Sequence, residues 1–281
     1  MLLDIAIGDA YGAGFEFAER EKIDSFNNLT TYQEHGLGIP AGNYTDDTQM
    51  SLALAELILE SAEWNQENIA DKFVECFKRD IRIGYSKGFY NVLSTVNSGE
   101  ELISKVKPVS TANGAAMRSA PLGVINELEA LKNMAKIQAS ITHNTEAGIK
   151  SSQAIALASH FFIFKLGKPN ELFQFVCEQT NYKWINNWEK EVACCGIETV
   201  NAVLTVLGKC KSLSDVLLSS VEFGGDVDTV AACALGIASL SDDYHHDLPE
   251  FLFKELENNQ YGHDYLVDVS SKLMSYVKTN R

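Results

Sequence analysis

Positive charge is scarce in this chain: 23 Lys and Arg stand against 38 Asp and Glu, a formal net charge of −15. Phosphate backbones are held by clustered Lys and Arg, so the deficit argues against a nucleic-acid partner. Long apolar runs are also missing. A bilayer span needs about 20 apolar residues, and the longest candidate, 154–166, is shorter and carries His160 and Lys165. No membrane segment is expected. The six cysteines form no C-x-x-C pair and follow no secretory leader, so buried free thiols in a cytoplasmic protein are expected. No Pro/Ser/Gly-rich linker, low-complexity tract or repeat interrupts the sequence, which predicts one domain over residues 1–281. A monomer is the favoured state. No segment shows the period-2 alternation of a half-buried strand. The expected fold class is all-α, a compact domain of about a dozen helices.

What the chain does have is acid placed just before its most apolar stretches. Gly42-Asn43-Tyr44-Thr45-Asp46-Asp47-Thr48 precedes the run Met50 to Leu59, and Gly224-Gly225-Asp226-Val227-Asp228-Thr229 precedes Val230 to Ala238. Upstream, the small residues of Gly8-Asp9-Ala10-Tyr11-Gly12-Ala13-Gly14-Phe15-Glu16 allow close backbone approach and a tight turn. Their glycine spacing is that of neither a dinucleotide fingerprint nor a P-loop. On residue type alone, Asp9 and Glu16 read as helix-end or solvent-facing acids. Residues 27–42, rich in Asn, Thr and Gly, predict an irregular surface loop of the lid or binding kind.

Residues 49–64 predict a buried helix, and Ile69, Phe73, Phe77 and Ile81 recur every four residues as the face of an amphipathic one. Asn113-Gly114-Ala115-Ala116-Met117-Arg118-Ser119-Ala120-Pro121 reads as a small-residue turn entering a helix. Exposed N–H groups there suit a phosphate or a polyol, and tight helix packing explains the same residues. His143 opens a long helix over 146–166, capped by Thr142 or Asn144. The helix dipole is expected to keep this histidine neutral. Further helices are expected near 171–180, 189–207, 212–222, 248–257 and 263–278.

Asp226 and Asp228 are two residues apart, so inside a helix they would point about 200° from each other. At a cap and first turn after Gly224-Gly225 they can converge, and Thr229 adds a hydroxyl. Thr45, Asp46 and Asp47 can do the same from the other element. Such an all-oxygen set suits Mg²⁺, Mn²⁺ or Ca²⁺ rather than Zn²⁺. Its charge exceeds what one divalent ion balances, which leaves room for two. The bland alternative is that each pair caps a helix, favourable by roughly 0.3–1 kcal/mol per charge. Two clusters, each with threonine and each before an apolar helix, favour the metal.

Taken in order, Gly8-Asp9-x-x-Gly12-x-x-x-Glu16, Thr45-Asp46-Asp47-Thr48, Asn113-Gly114-x-x-Met117-Arg118, Thr142-His143 and Gly224-Gly225-Asp226-x-Asp228-Thr229 resemble the ADP-ribosylglycohydrolases. That family includes the enzyme that removes ADP-ribose from nitrogenase reductase. The resemblance runs through most of the chain and implies an all-α fold with two Mg²⁺, or Mn²⁺, in a cleft. By matching motif it makes Thr45, Asp46, Asp47, Asp226, Asp228 and Thr229 the metal ligands. It makes Glu16 the acid on a mobile loop beside the metals, with Asp47 and Asp226 as further catalytic carboxylates. Asn113, Gly114, Arg118 and His143 fall where the family holds ADP-ribose.

The implied reaction is hydrolysis of the glycosidic bond joining ADP-ribose to an acceptor, a protein side chain or a small molecule, through an oxocarbenium-like transition state. Two features depart from the family pattern. Only seven residues precede Gly8, which implies a shortened lead-in helix, and Val227 stands where many relatives have threonine. The runner-up reading is a non-catalytic ADP-ribose-binding or crystallin-like member of the same fold. A phosphohydrolase cutting the pyrophosphate is less favoured, because His-Asp metal pairs are lacking.

Overall fold

The computed structural model describes residues 1–279. Fifteen α-helices and one 3-10 helix make up its regular structure, and the described residues contain no strand, only three isolated bridges. The all-α expectation holds.

Helices that are apolar on every side belong at the centre of a fold. Here the Val227–Ala238 helix has every residue buried, and Leu2–Ala13 has all but Leu3 and Asp4 buried. The two lie against each other, and two glycines decide how closely. A Cβ at Gly8 would sit 2.4 Å from the Ala231 carbonyl oxygen, and one at Gly12 would sit 2.5 Å from Asp228 Cα. The Gly8 stretch is helix through Ala13 and turns at residues 14–17, and the close backbone approach that its small residues allow is made at Gly8 and Gly12. Its glycines serve helix crossing, one turn apart on one face.

The Asp46–Leu59 and Glu146–Ile163 helices pack around this pair. Asp46–Leu59 starts and ends earlier than the expected 49–64, so the first acidic cluster forms the helix's own first turn. Glu146–Ile163 is capped by Thr145, whose Oγ1 accepts the Gly148 N–H at 3.1 Å, and not by Thr142 or Asn144. Against these, Gln66–Arg79 lays Ile69, Phe73 and Phe77 onto a second core with Met50, Leu54 and Leu93. Ile81 is not part of that face. Gln49 Nε2 donates to the carbonyls of Cys76 and Asp80, the chain leaves the helix at Asp80, and Ile81 is 61% exposed.

The expected helix 189–207 begins only at Gly196. Residues before it are spent on the second acidic cluster: Val192 N–H donates to the Gly224 carbonyl at 3.0 Å, and Asp226 N–H donates to the Val192 carbonyl at 2.8 Å. Residues 27–42 form the irregular loop that their composition predicts. Between 248 and 257 only Phe251–Lys254 is helical. No helix among the described residues is long and apolar enough to cross a membrane.

Replacing Gly12 with alanine weighs two opposed effects. Alanine gains about 1 kcal/mol of helix propensity over glycine, but its methyl meets backbone that no rotamer change can move. Overpacking of this kind costs about 1–3 kcal/mol, sometimes more. Gly12→Ala should therefore lower the urea midpoint of unfolding, and a raised midpoint would show that the helices do not cross this closely.

Candidate metal centre and pocket

The site is assembled from a carboxylate that type alone would place at a surface. Asp9 is fully buried in mid-helix. Thr45 N–H (3.0 and 2.9 Å), Thr45 Oγ1 (2.8 Å), Thr48 N–H (3.0 Å) and Thr48 Oγ1 (2.6 Å) all donate to it. Asp9 thus caps the Asp46–Leu59 helix from another helix, supplying the negative charge and acceptors that a helix N-terminus needs. The reading of Asp9 as a helix-end or solvent-facing acid is corrected. Thr45 Oγ1 spends its proton on Asp9, and its lone pairs remain available.

The two acidic clusters come together across the Gly12 crossing. Carboxylate oxygens of Asp9, Asp47 and Asp228 lie within 4.8 Å of one another, and so do those of Glu16, Asp226 and Asp228. Asp228 belongs to both groups. Asp46 stands outside them, half-buried, in close approach to Gly84, where a Cβ would meet its Oδ1 at 2.4 Å. Thr229 N–H donates to Asp228 Oδ1 at 2.8 Å, and Asn113 Nδ2 donates to Asp226 Oδ2 at 3.1 Å. Asp47 Oδ1 is buried with no hydrogen-bond partner.

Like charges this close cannot all ionise unaided. Burial, then repulsion from Asp9, Asp46 and Asp226, pushes the Asp47 carboxyl well above the usual range. Burial, then Glu16, Asp226 and Asp47, does the same to Asp228, and burial with Asp9, Glu16 and Asp226 to Asp46. The nearby arginines are engaged elsewhere. Arg82 pairs with Asp80 and Glu257, and Arg118 bonds to Gln138 and Thr142. An orphaned buried carboxylate oxygen in an all-oxygen donor set with surplus negative charge fits a hard divalent cation.

A cavity of about 400 Å³ opens above the acids. Glu16, Asp46, Asp47, Asn113, Gly114, Arg118, His143, Asp226, Asp228 and Thr229 all line it, so the structure gathers every candidate site residue except Thr45, which lies behind Asp46 on Asp9. Arg118 is buried, with its guanidinium 4.8 Å from the Phe73 ring centroid, and burial lowers its pKa to about 9. It donates to Thr142 Oγ1 at 3.0 Å, and that hydroxyl lies 2.6 Å from His143 Nδ1. His143 is neutral as expected, but for another reason. Burial, then the Arg118 charge, lowers its pKa to about 3.

Part of the lining comes from residues 80–90, whose Tyr85 and Phe89 around Gly84 and Gly88 read from sequence as a surface hinge or a substrate-facing turn, and the pocket favours the second. Tyr85, Phe89, Val92 and Val106 form an apolar wall, and Lys105 and Lys107 add positive charge. Val92 and Lys105 lie on short helices and Val106 and Lys107 in loop, none within a motif, so only the fold shows that they face the acids. Cys194 is exposed and lines the pocket, its Sγ 3.5 Å from Asn113 Oδ1. The expectation of buried thiols holds for Cys76, Cys210 and Cys233 but not for Cys194, while Cys177 and Cys195 are half-buried. The Cys194 segment is loop, not core, because Val192 pairs with the second acidic cluster.

A family model described as ADP-ribosylglycohydrolase matches residues 1–281. The chain belongs to the ADP-ribosylglycohydrolase family. An uncharacterized protein of Archaeoglobus fulgidus is 27% identical over 82% of this chain and 83% of its own. The ADP-ribosylarginine hydrolase Tri1 of Pseudomonas putida (strain GB-1) is 24% identical over 83% of this chain and 67% of its own. Among solved structures, one titled "ADP-ribosylglycohydrolase-related protein complex" superposes with a TM-score of 0.76 at 19% identity, covering 100% of this chain and 96% of the other. That likeness supports the glycohydrolase fold.

Charge removal and charge neutralisation should each raise stability here, and the first should forestall the second. Asp47→Asn is expected to raise the melting temperature of chelator-treated protein by relieving repulsion. In the unaltered protein Mg²⁺ or Mn²⁺ should stabilise by about 2.7 kcal/mol at one hundred times Kd, and Asp47→Asn should abolish that increment. A melting scan with and without metal checks both. A metal-dependent rise that survives Asp47→Asn counts against the centre.

Proposed function

We propose that this protein is a divalent-metal-dependent hydrolase that cleaves the glycosidic bond between ADP-ribose and an acceptor, reversing ADP-ribosylation. The observation that carries the reading is the pair of carboxylate groups sharing Asp228 at the base of a pocket large enough for a nucleotide sugar. Family membership supplies the bond type.

Thr45, Asp46, Asp47, Asp226, Asp228 and Thr229 would hold two Mg²⁺, with Mn²⁺ as the alternative. When bound, the ions supply positive charge that orders ribose hydroxyls and acidifies a water. The residues of the chain do the rest. Glu16, with a 21% exposed side chain beside Asp226 and Asp228, stands where a carboxylate can take a proton from water attacking the anomeric carbon. Asp47 and Asp226 are the further carboxylates that stabilise positive charge as the oxocarbenium character develops. Asn113, itself holding Asp226, and Gly114 form the turn against which ADP-ribose lies.

Neutral His143 offers the substrate a ring without charge, fixed by Thr142 and Arg118. A Cβ on Gly114 would lie 3.0 Å from His143 Cε1, so a side chain there would press on the His143 ring. The apolar wall from Tyr85 to Val106 suits the base, and Lys105 and Lys107 offset the pyrophosphate charge. The name of the Pseudomonas relative makes arginine-linked ADP-ribose the first acceptor to assay. Serine- and O-acetyl-linked forms follow.

With Mg²⁺, the protein should release free ADP-ribose from one of these acceptors. Glu16→Gln should lower kcat by roughly 10²–10⁴-fold while keeping the metal-dependent rise in melting temperature. Asp228→Ala should lose both turnover and that rise. Release of AMP would point to pyrophosphate cleavage. Stabilisation by ADP-ribose without turnover on any acceptor would leave a binding protein.

A further inference from the structure

Glu16 is awkwardly placed for a carboxylate that must act at a defined point. It sits on an irregular turn after the Leu2–Ala13 helix, its side chain is partly exposed, and two other carboxylates lie beside it. Repulsion favours a swing outward into water. The backbone of the turn is fixed: Phe17 N–H donates to the Gly225 carbonyl at 2.8 Å, with Phe17 at φ +48°. Backbone anchoring does not orient a glutamate side chain, which keeps three rotatable bonds.

The orienting contact comes from the 27–42 loop. His35 Nε2 lies 2.5 Å from Glu16 Oε2, and the His35 side chain is only 5% exposed. The tautomer follows from its other nitrogen. Leu37 N–H donates to His35 Nδ1 at 2.8 Å. A ring nitrogen that accepts carries no proton, so the ring proton is on Nε2 and is donated to Glu16.

The loop holds the ring rigidly. His35 N–H donates to the Ile39 carbonyl at 3.2 Å, and Gly38 N–H donates back to the His35 carbonyl at 2.9 Å, with Gly38 at φ +78°. Loop and turn are also in close contact, since a Cβ on Gly14 would lie 2.7 Å from the Gln33 carbonyl oxygen.

We propose that His35 is the positioning residue of Glu16: its Nε2–H holds one carboxylate oxygen, directs the other toward the pocket and keeps the group beside Asp226 and Asp228. The proposal rests on the reading of Glu16 as the proton-accepting group. It assigns a role to the 27–42 loop as the support of that residue.

The test uses the full chain with Mg²⁺ and three substitutions. Glutamine places its amide Nε2 close to that of histidine and can accept the Leu37 N–H through Oε1, whereas asparagine is too short to reach Glu16 and phenylalanine cannot donate. His35→Asn and His35→Phe should lower kcat by roughly 10²-fold, the order that a 1 Å misplacement costs, with KM and the metal-dependent rise in melting temperature unchanged. His35→Gln should stay close to the unaltered protein. Equal loss in all three variants would reduce His35 to a structural role, and no loss in Asn and Phe would remove it from the mechanism.

Crystal structures of the metal-loaded variants give a second readout that needs no turnover. Glu16 should keep its orientation in the Gln variant and leave it in Asn and Phe; retention in Asn and Phe overturns the proposal. If the unaltered protein cleaves no ADP-ribosylated acceptor, the hydrolase reading fails on its own, and the crystal structures still decide the contact.

Discussion

One buried carboxylate, Asp9, sets the position of the first acidic loop. In an apolar interior an ionised acid is costly unless it is fully hydrogen-bonded. Asp9 satisfies that condition with donors from Thr45 and Thr48 only. The consequence is that the N-terminus of the Asp46–Leu59 helix cannot move relative to the Leu2–Ala13 helix without stranding a buried carboxyl group, whose pKa burial already pushes up. Asp46 and Asp47 inherit that fixity, since they lie between the two threonines.

The second acidic loop is placed by different means. Gly8 and Gly12 let the Val227–Ala238 helix approach at backbone contact, which carries Asp228 to within reach of Asp9 and Asp47. Val192 holds Gly224 and Asp226 by two backbone hydrogen bonds, and Gly225, at φ +82°, lets the chain turn there. A third restraint comes from the far end of the sequence. Glu257 accepts the Tyr44 N–H at 3.0 Å and pairs with Arg82, whose guanidinium lies 3.7 Å from the Tyr44 ring centroid and donates to the Tyr44 carbonyl at 3.1 Å. The residue just before Thr45 is thus clamped on both sides of its peptide unit. These three restraints on the centre are all long-range in sequence, so the site depends on the packing of distant segments.

Much of this was legible in the chain because it follows from local pattern. Helical periodicity, the lack of alternation and the acid–threonine clusters before apolar runs are short-range signals, and the elements they predict are present. What failed shares a cause. Asp9 looked like a surface acid because its partners are 36 and 39 residues away. The helix expected from 189 starts only at Gly196, about two turns later, because Val192 pairs with Gly224 and Asp226, and Ile81 keeps the helical spacing beyond the helix end that Gln49 caps. His35 has no motif and gains its meaning only from a loop lying on the Glu16 turn. In each case a tertiary hydrogen bond overrode a local preference.

The centre is also a place where the fold works against itself. Asp46, Asp47 and Asp228 are all pushed toward their neutral forms by burial and by one another, yet cation binding requires them charged. A fold that only needed stability would replace them with apolar residues of similar size, which buried charge rarely outperforms. Their presence is consistent with an offsetting cation. The rigidity supplied by Asp9, Val192 and Glu257 prevents the alternative, in which the loops part and the acids escape to water. Stability given up at the acids and rigidity built around them are therefore two sides of one arrangement, a preformed cage of carboxylates of the kind that the proposed cation would neutralise.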